Sequence, residues 1–395
     1  MSMALNIMKN LPVPSESLGF ALNRRCTWSW SLGLSSSKLN ISKHRVKRSN
    51  YSTSSFTSRS NSSSATEKEN HRESCSLVNR NFLTLKDFTN DEVKTLLWTA
   101  FDLKKRIKDH HELYQPLKGK NLAMIFEKRS TRTRMSTESG FASLGGHPIF
   151  LSSQDIHLGV NENLSDSARV ISRFSDIILA RVYSNKTLQT LAKDGSKPVV
   201  NGLCDVYHPL QILADFQTLH EHYGQLKGLN IAWVGDGNNN VTHSFLMGCP
   251  KMGMNLRVAS PKGYEVDKLV ALDADALCKE NNTTIHYTND PREAVESCDV
   301  IVTDTWVSMG AEEEKAKRLA DFHGYQVTQA LCSLAKPDYT FLHCLPRKSE
   351  EVSDEVFYSR HSLVWDEAEN RKWTVMSVLH HLLMDYNPVS PMPKF

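Results

Sequence analysis

Apolar positions along the chain switch repeatedly between the two-residue spacing of strands and the three-to-four-residue spacing of helices. Thr89 or Asn90 can cap a helix that opens on Asp91 and Glu92 and carries Val93, Leu96, Leu97, Phe101 and Leu103 inward. It closes on Lys104, Lys105, Arg106 and Lys108, the charges that suit a helix C-terminus. A strand at Asn121–Phe126 then feeds a helix that stops at Gly145-Gly146. Further strands are predicted at Pro148–Leu151, Asp176–Ala180 and Val199-Val200, with helices over about 163–174, 186–193 and from His208-Pro209 through Leu219. Beyond a linker holding Gly224 and Gly228 the alternation resumes. Strands fall at 229–234, 255–259, 283–287, 299–302 and 340–343, with helices after 240, over about 266–279, over 291–296, and finally over about 369–384. Pro250 lies inside the helix after residue 240, which it should kink or end.

Strand–helix alternation in both halves predicts an α/β protein. Two parallel-sheet domains are expected, with the active site in the cleft between them and a C-terminal helix packing back on the first. The expected boundaries are a tail over 1–76, a first domain over 77–222, a second over 223–365 and the returning helix over 366–395. The tail stands apart by composition. Its first 66 residues hold one acid, Glu16, against Lys9, Arg24, Arg25, Lys38, Lys43, Arg45, Lys47, Arg48 and Arg59, and are rich in serine. Basic, serine-rich and acid-poor is the organelle transit signature.

Net charge is +3, from 47 basic and 44 acidic residues, which argues against a nucleic-acid partner. No apolar run reaches the length of a membrane span. The eight cysteines are scattered without zinc spacing, so free thiols in a reducing compartment and no bound metal are expected.

Candidate chemistry sits where strands end. After Phe126 come Ser130, Thr131, Arg132 and Thr133. A helix N-terminus offers unpaired N–H groups and a favourable dipole to an anion. The hydroxyls add donors, and an arginine fork matches phosphate oxygens bidentately. The other strand ends carry Arg181, His208 with Gln211, the Asn238–Asn240 run, Asp304 with Ser308, and His343-Cys344. Gly235-Asp236-Gly237 lacks the third glycine of a dinucleotide fingerprint, so no nicotinamide cofactor is expected.

In combination, several of these stretches resemble the ornithine carbamoyltransferases, and the animal mitochondrial form more than the plant or bacterial ones. They are FEKRSTRTR at 126–134, DIHLG at 155–159, ARVY at 180–183, HPLQILAD at 208–215, GDGNNN at 235–240, TDTWVSMG at 303–310, FLHCLPR at 341–347 and ENRKW at 369–373. The resemblance runs from about 81 to 395 and implies transfer of a carbamoyl group from carbamoyl phosphate to the δ-amine of ornithine, without a cofactor. It implies that Ser130, Thr131, Arg132 and Thr133 hold phosphate, that Arg181 reaches both phosphate and the carbonyl oxygen, and that His208 also polarises the carbonyl. Gln211, Arg371 and the backbone of Cys344 and Leu345 would then enclose the carbamoyl group. Asp304, Ser308 and Met309 would position ornithine, and an asparagine of 238–240 its carboxylate. By residue type, Asp304 and Cys344 are an acceptor pair that could orient the amine and take its proton. His157 would reach a neighbouring subunit's site in a homotrimer of the mitochondrial matrix, serving arginine synthesis or the urea cycle. The chain departs from the family by one extra residue after Gly237. Counting forward from Gly237 makes Asn239 the ligand; counting back from His243-Ser244 makes it Asn240. Two rival readings remain: a carbamoyltransferase for another amine, and a catalytically weak homologue that binds carbamoyl phosphate or a partner.

Overall fold

A computed structural model describes residues 76–154, 156, 162–307 and 312–395. The transit-like tail, His157, Ser308 and Met309 therefore lie outside the described residues. The first half contains helices α1 (Asn90–Leu103), α2 (Thr131–Ser143), α3 (Leu164–Phe174), α4 (Asn185–Asp194) and α5 (Pro209–Tyr223). Its strands are β1 (Asn121–Phe126), β2 (His147–Ser152), β3 (Ile177–Arg181) and β4 (Val199–Leu203). They form one parallel sheet in the order β2-β1-β3-β4.

The second half contains β5 (Asn230–Val234), β6 (Asn255–Ala259), β7 (Ile285–Thr288), β8 (Val300–Val302) and β9 (Thr340–Leu342). These make a second parallel sheet in the order β7-β6-β5-β8-β9. Its helices are α6 (Asn240–Gly248), α7 (Lys268–Asn281), α8 (Pro291–Val295), α9 (Lys315–Asp321), α10 (Gln329–Cys332) and α11 (Asp354–Phe357), and the long α12 (Val364–Leu383) follows. In both sheets the order reverses beside the first strand of the half, β1 or β5. That opens a crevice at the strands' C-terminal ends.

Local chemistry sets these boundaries. Thr89 and Glu92 close a reciprocal capping box on α1. Ser130 caps α2 by accepting from the Thr133 N–H at 3.2 Å. Pro209 occupies the first turn of α5, where its missing N–H costs nothing. Pro250 ends α6 at Gly248 and opens a 3₁₀ turn, Pro250–Met252, as the sequence predicts. The basic stretch after α1 continues as a π-helix, Lys104–Asp109, which the residue pattern does not announce.

The main departure from the sequence reading is α12. It begins at Val364, not near Glu369, so Glu367 and Arg371 share one helix face a turn apart. The polar first turn, Asp366 and Glu367, hides this start from an apolar-period argument. Helices α9, α10 and α11 span seven residues or fewer, too short for a periodic signal.

Helix α12 packs on the first half. Gly140 of α2 lets it approach closely, since a Cβ there would lie 2.8 Å from Met376 Cγ. Ser377 Oγ donates to the Leu96 carbonyl at 2.6 Å. The two halves share a continuous apolar core. Phe216 of α5 meets Phe245 of α6 with ring centroids 6.2 Å apart, and Phe245 meets Trp233 of β5 at 6.1 Å. Among the described residues the six cysteines are free thiols, and no helix is long and apolar enough to cross a membrane.

Candidate active site

Strand ends and helix starts from both halves converge on one cavity of about 590 Å³. Of the candidates predicted from sequence, it is lined by Ser130, Thr131, Arg132, Thr133, Arg181, His208, Gln211, Asn239, Asn240, Asp304, Cys344, Leu345 and Arg371, but not by Asn238 or His343. The first sheet delivers its groups directly. Phe126, the last residue of β1, pairs with Arg181, the last of β3. An irregular register between Ala180 and Arg181 sets Arg181 opposite Leu203.

On one side of the cavity, the α2 N-terminus presents backbone N–H groups beside three guanidinium groups. Arg132 donates through Nη2 to the Leu345 carbonyl, tying the α2 start to the loop after β9. Arg371 donates through Nη1 to Gln211 Oε1 at 2.6 Å and through Nη2 to Thr133 Oγ1 at 3.2 Å. Arg181 Nε, Arg371 Nε and His208 Nδ1 are buried and have no partner among the described residues. Buried polar atoms left so are costly.

Burial and mutual repulsion lower the arginines' proton affinity. Arg181 is lowered to about 10 by burial and by Arg371, and Arg371 is lowered to about 10 chiefly by burial. Both still carry charge at neutral pH. His208 is held well below the ordinary histidine range by burial and by Arg371, Arg181 and Arg132. It is therefore a neutral imidazole that can donate one hydrogen bond to an oxyanion. Its backbone N–H donates to Ser244 Oγ at 2.8 Å, fixing the start of α5 against α6.

On the opposite side, Asn239 caps α6, its Oδ1 accepting from the Val241 N–H at 2.7 Å. Its Nδ2 donates to Asp304 Oδ2 at 3.3 Å. Asn240 turns the other way and donates to the Cys204 carbonyl at 2.6 Å. Asn238, the remaining asparagine of the run, is exposed. Cys344 Sγ donates to Asp304 Oδ1 at 3.0 Å. Desolvation, with the charge of Asp304, pushes this thiol well above its usual range. Cys344 is thus a neutral S–H donor in this state, unlike the acceptor expected from sequence, and Asp304 is the acceptor of the pair.

Ligand atoms of Asp304, His343 and Cys344 lie within 4.8 Å of one another. His343 is nevertheless committed: Nδ1 accepts from the Leu345 N–H at 2.9 Å, and Nε2 lies 3.1 Å from Glu351 Oε2. Holding a metal ion would break one of those bonds, so the donor set fits poorly.

Sequence reasoning missed several lining groups: Lys128, Arg129, Thr305, Val307, Lys315 and Lys348. Lys128 and Arg129 belong to the basic stretch already singled out. Burial and the charge of Arg181 lower Lys128, and its Nζ sits 4.6 Å from the Tyr183 ring centroid. Also missed were Asp215 and Glu367, buried carboxyls directly behind Gln211. Asp215 stands four residues from Gln211 on α5, a spacing that could have found it.

Comparison with known proteins gives concordant results. Residues 80–221 match the family described as aspartate/ornithine carbamoyltransferase, carbamoyl-P binding domain. Residues 227–382 match aspartate/ornithine carbamoyltransferase, Asp/Orn binding domain. The chain is 59% identical over 319 residues, 81% of its length, to the mitochondrial ornithine carbamoyltransferase of Aquarana catesbeiana, of which the match covers 91%. It is 57% identical over 319 residues, again 81% of its length, to the mitochondrial ornithine transcarbamylase of Gallus gallus, of which the match covers 90%. Among solved structures, the ornithine carbamoyltransferase from Pyrococcus furiosus superposes with a TM-score of 0.76 at 45% identity, covering 78% of this chain and 98% of that one.

Proposed function

The chain belongs to the aspartate/ornithine carbamoyltransferase family, and from that premise we infer that it transfers the carbamoyl group of carbamoyl phosphate to the δ-amine of L-ornithine, giving L-citrulline and phosphate. One observation carries the reading. An anion cradle with three guanidinium groups and an acceptor carboxylate beside a capping asparagine face the same cavity.

The division of labour follows from residue chemistry. Ser130, Thr131, Thr133, Arg132 and the α2 N-terminus bind phosphate and take up its charge as it leaves. Arg181 and neutral His208 donate to the carbonyl oxygen as the amine attacks and that oxygen becomes an oxyanion. Gln211, Arg371 and the Cys344–Leu345 backbone hold the carbamoyl group. Asp304 orients the neutral δ-amine and accepts its proton as the C–N bond forms and the C–O bond to phosphate breaks. Asn239 meets the ornithine carboxylate, with Ser308 and Met309 completing that half. No electrons change hands, so no redox cofactor is called for.

With the expected boundaries at about 222 and 365, the phosphate cradle, Arg181, His208 and Gln211 would belong to the first domain, Asn239, Asp304 and the Cys344–Leu345 backbone to the second, and Arg371 to the returning helix. The assembly we propose is a homotrimer in which His157 completes the neighbouring site. The compartment we propose is the mitochondrial matrix, where the product would serve arginine synthesis or the urea cycle. Relatives named as mitochondrial and the acid-poor tail support that placement. The protein lacking residues 1–76 should form citrulline from carbamoyl phosphate and ornithine. Carbamoyl phosphate binding without citrulline would instead support the weak homologue that the extra asparagine suggests. Residues 1–76 fused to a reporter should carry it into the matrix, and a cytosolic reporter would refute the compartment.

A further inference from the structure

Behind the carbamoyl subsite lies a buried group of four side chains. Gln211, Asp215, Glu367 and Arg371 are each 3% exposed or less. Gln211 Nε2 donates twice, to Asp215 Oδ1 at 2.8 Å and to Glu367 Oε1 at 2.7 Å. A primary amide has two N–H hydrogens, so both are spent on carboxyl oxygens. The second Glu367 oxygen is also engaged, accepting from the His343 N–H at 3.0 Å. Gln211 Oε1 accepts from Arg371 Nη1 at 2.6 Å.

This wiring decides which way the Gln211 amide points. Flipped, its oxygen would face two carboxyl oxygens and its NH₂ would face a guanidinium. Even with one proton between the two carboxyls, at least one of those hydrogen bonds would become a repulsion, and the bond from Arg371 would be lost. The amide is therefore fixed with oxygen forward. Two carboxyls this close and this buried cannot both ionise. Burial raises both, and the charge of Asp215 raises Glu367 further, so Glu367 keeps a proton. That leaves one negative charge beside the Arg371 guanidinium.

We propose that Asp215 and Glu367 are positioning residues that lock the Gln211 amide as a hydrogen-bond acceptor and thereby select a carbamoyl NH₂ over a methyl group on the acyl phosphate. The proposal rests on the functional reading above and deepens it. One lone pair of Gln211 Oε1 takes Arg371, and the other meets an N–H of the carbamoyl group. The methyl of acetyl phosphate leaves that acceptor unpaired in a dry site. Sites built to hydrogen-bond a substrate N–H discriminate strongly against analogues that lack it.

The test compares binding of carbamoyl phosphate, acetyl phosphate and inorganic phosphate to the native protein and to Glu367→Gln. A glutamine at 367 must turn its NH₂ toward either the Gln211 amide or the His343 N–H, so the lock is broken. Native protein should prefer carbamoyl over acetyl phosphate by roughly 10–100-fold, the worth of one unpaired buried acceptor. In Glu367→Gln the carbamoyl phosphate affinity should fall by about tenfold while acetyl phosphate and phosphate hold within about twofold. Loss of all three affinities together would mean a merely structural role and overturn the proposal, as would an unchanged preference. Asp215→Asn tests the lock from the other carboxyl should Glu367→Gln fail to fold, and the same two outcomes decide it. Glu367→Asp keeps two acceptor oxygens and should restore part of the preference. A native protein that does not distinguish carbamoyl from acetyl phosphate would remove the functional reading itself, and the inference with it.

Discussion

Asn239 and Asn240 are adjacent, chemically identical, and given different tasks by the fold. Replacing each by alanine separates the tasks. Asn239→Ala removes the α6 cap to Val241 and the donor beside Asp304. Cap loss costs about 1 kcal/mol of stability. In a folded unit this large that lowers Tm by about 2 °C. Losing the donor to the ornithine carboxylate removes a charge-assisted hydrogen bond worth roughly 1.5–3 kcal/mol. That corresponds to a rise of about 10–150-fold in the KM for ornithine. Asn240→Ala instead removes the bond to the Cys204 carbonyl, which ties α6 to the loop after β4. It should lower Tm by a similar amount and leave the ornithine KM within about threefold, since no contact to substrate is lost. Asn239→Ser supplies the control. Serine caps a helix as well as asparagine does, so Tm should recover while KM stays high. The assay is citrulline formation at saturating carbamoyl phosphate with ornithine varied, beside a thermal melt of each variant. Equal KM changes in the two alanine variants, or a larger one in Asn240→Ala, would refute the assignment of Asn239.

Arg132→Lys keeps the charge but loses the fork that reaches both phosphate and the Leu345 carbonyl; kcat/KM for carbamoyl phosphate should fall by roughly 10²–10³, measured by initial rates. At limiting ornithine the rate should climb close to tenfold per pH unit from about pH 6, because an amine titrating near 10.4 must be neutral to attack, and Arg181 and Arg371 stay charged until about pH 10. A flat profile between pH 6 and 8 would remove the amine mechanism. His380 and His381 are buried and lowered to about 4, so the unfolded chain binds protons below pH 6.5 that the folded chain refuses, and stability is lost as pH falls from 6.5 towards 4. The double variant His380→Gln/His381→Gln should therefore show a flatter dependence of Tm on pH over that window than the native protein. Finally, reassembling Arg132→Ala with His157→Ala at equal amounts should recover roughly a quarter of native activity, since about three quarters of head-to-tail trimers are hybrids with one intact site of three; hybrids without activity would show that His157 serves its own chain.

The alternation of strand and helix was legible from the chain itself, because each period reports a local constraint. A strand buried on both faces reads as an unbroken apolar run, as at Leu122–Phe126. Caps and prolines act within a few residues, so Ser130, Pro209 and Pro250 mark their boundaries without reference to anything distant. The phosphate side of the site shares that locality. Ser130, Thr131, Arg132 and Thr133 occupy one helix turn, and their chemistry follows from the N-terminus they form.

Other features depended on contacts between distant residues, where spacing along the chain carries no information. Forward and backward counting left Asn239 and Asn240 equivalent. Only the packing of α6 against the loop after β4 aims Asn240 at Cys204, more than thirty residues away, and leaves Asn239 beside Asp304. Cys344 looked like an acceptor by residue type, yet its protonation is set by the cavity around it and by a carboxylate from another strand end. Glu367 lay in an unremarked polar turn until α12 folded back and set it, with Arg371, around Gln211. Desolvation and charge–charge coupling depend on distance in space, so the proton held between Asp215 and Glu367, and the amide it fixes, belonged to the tertiary structure alone.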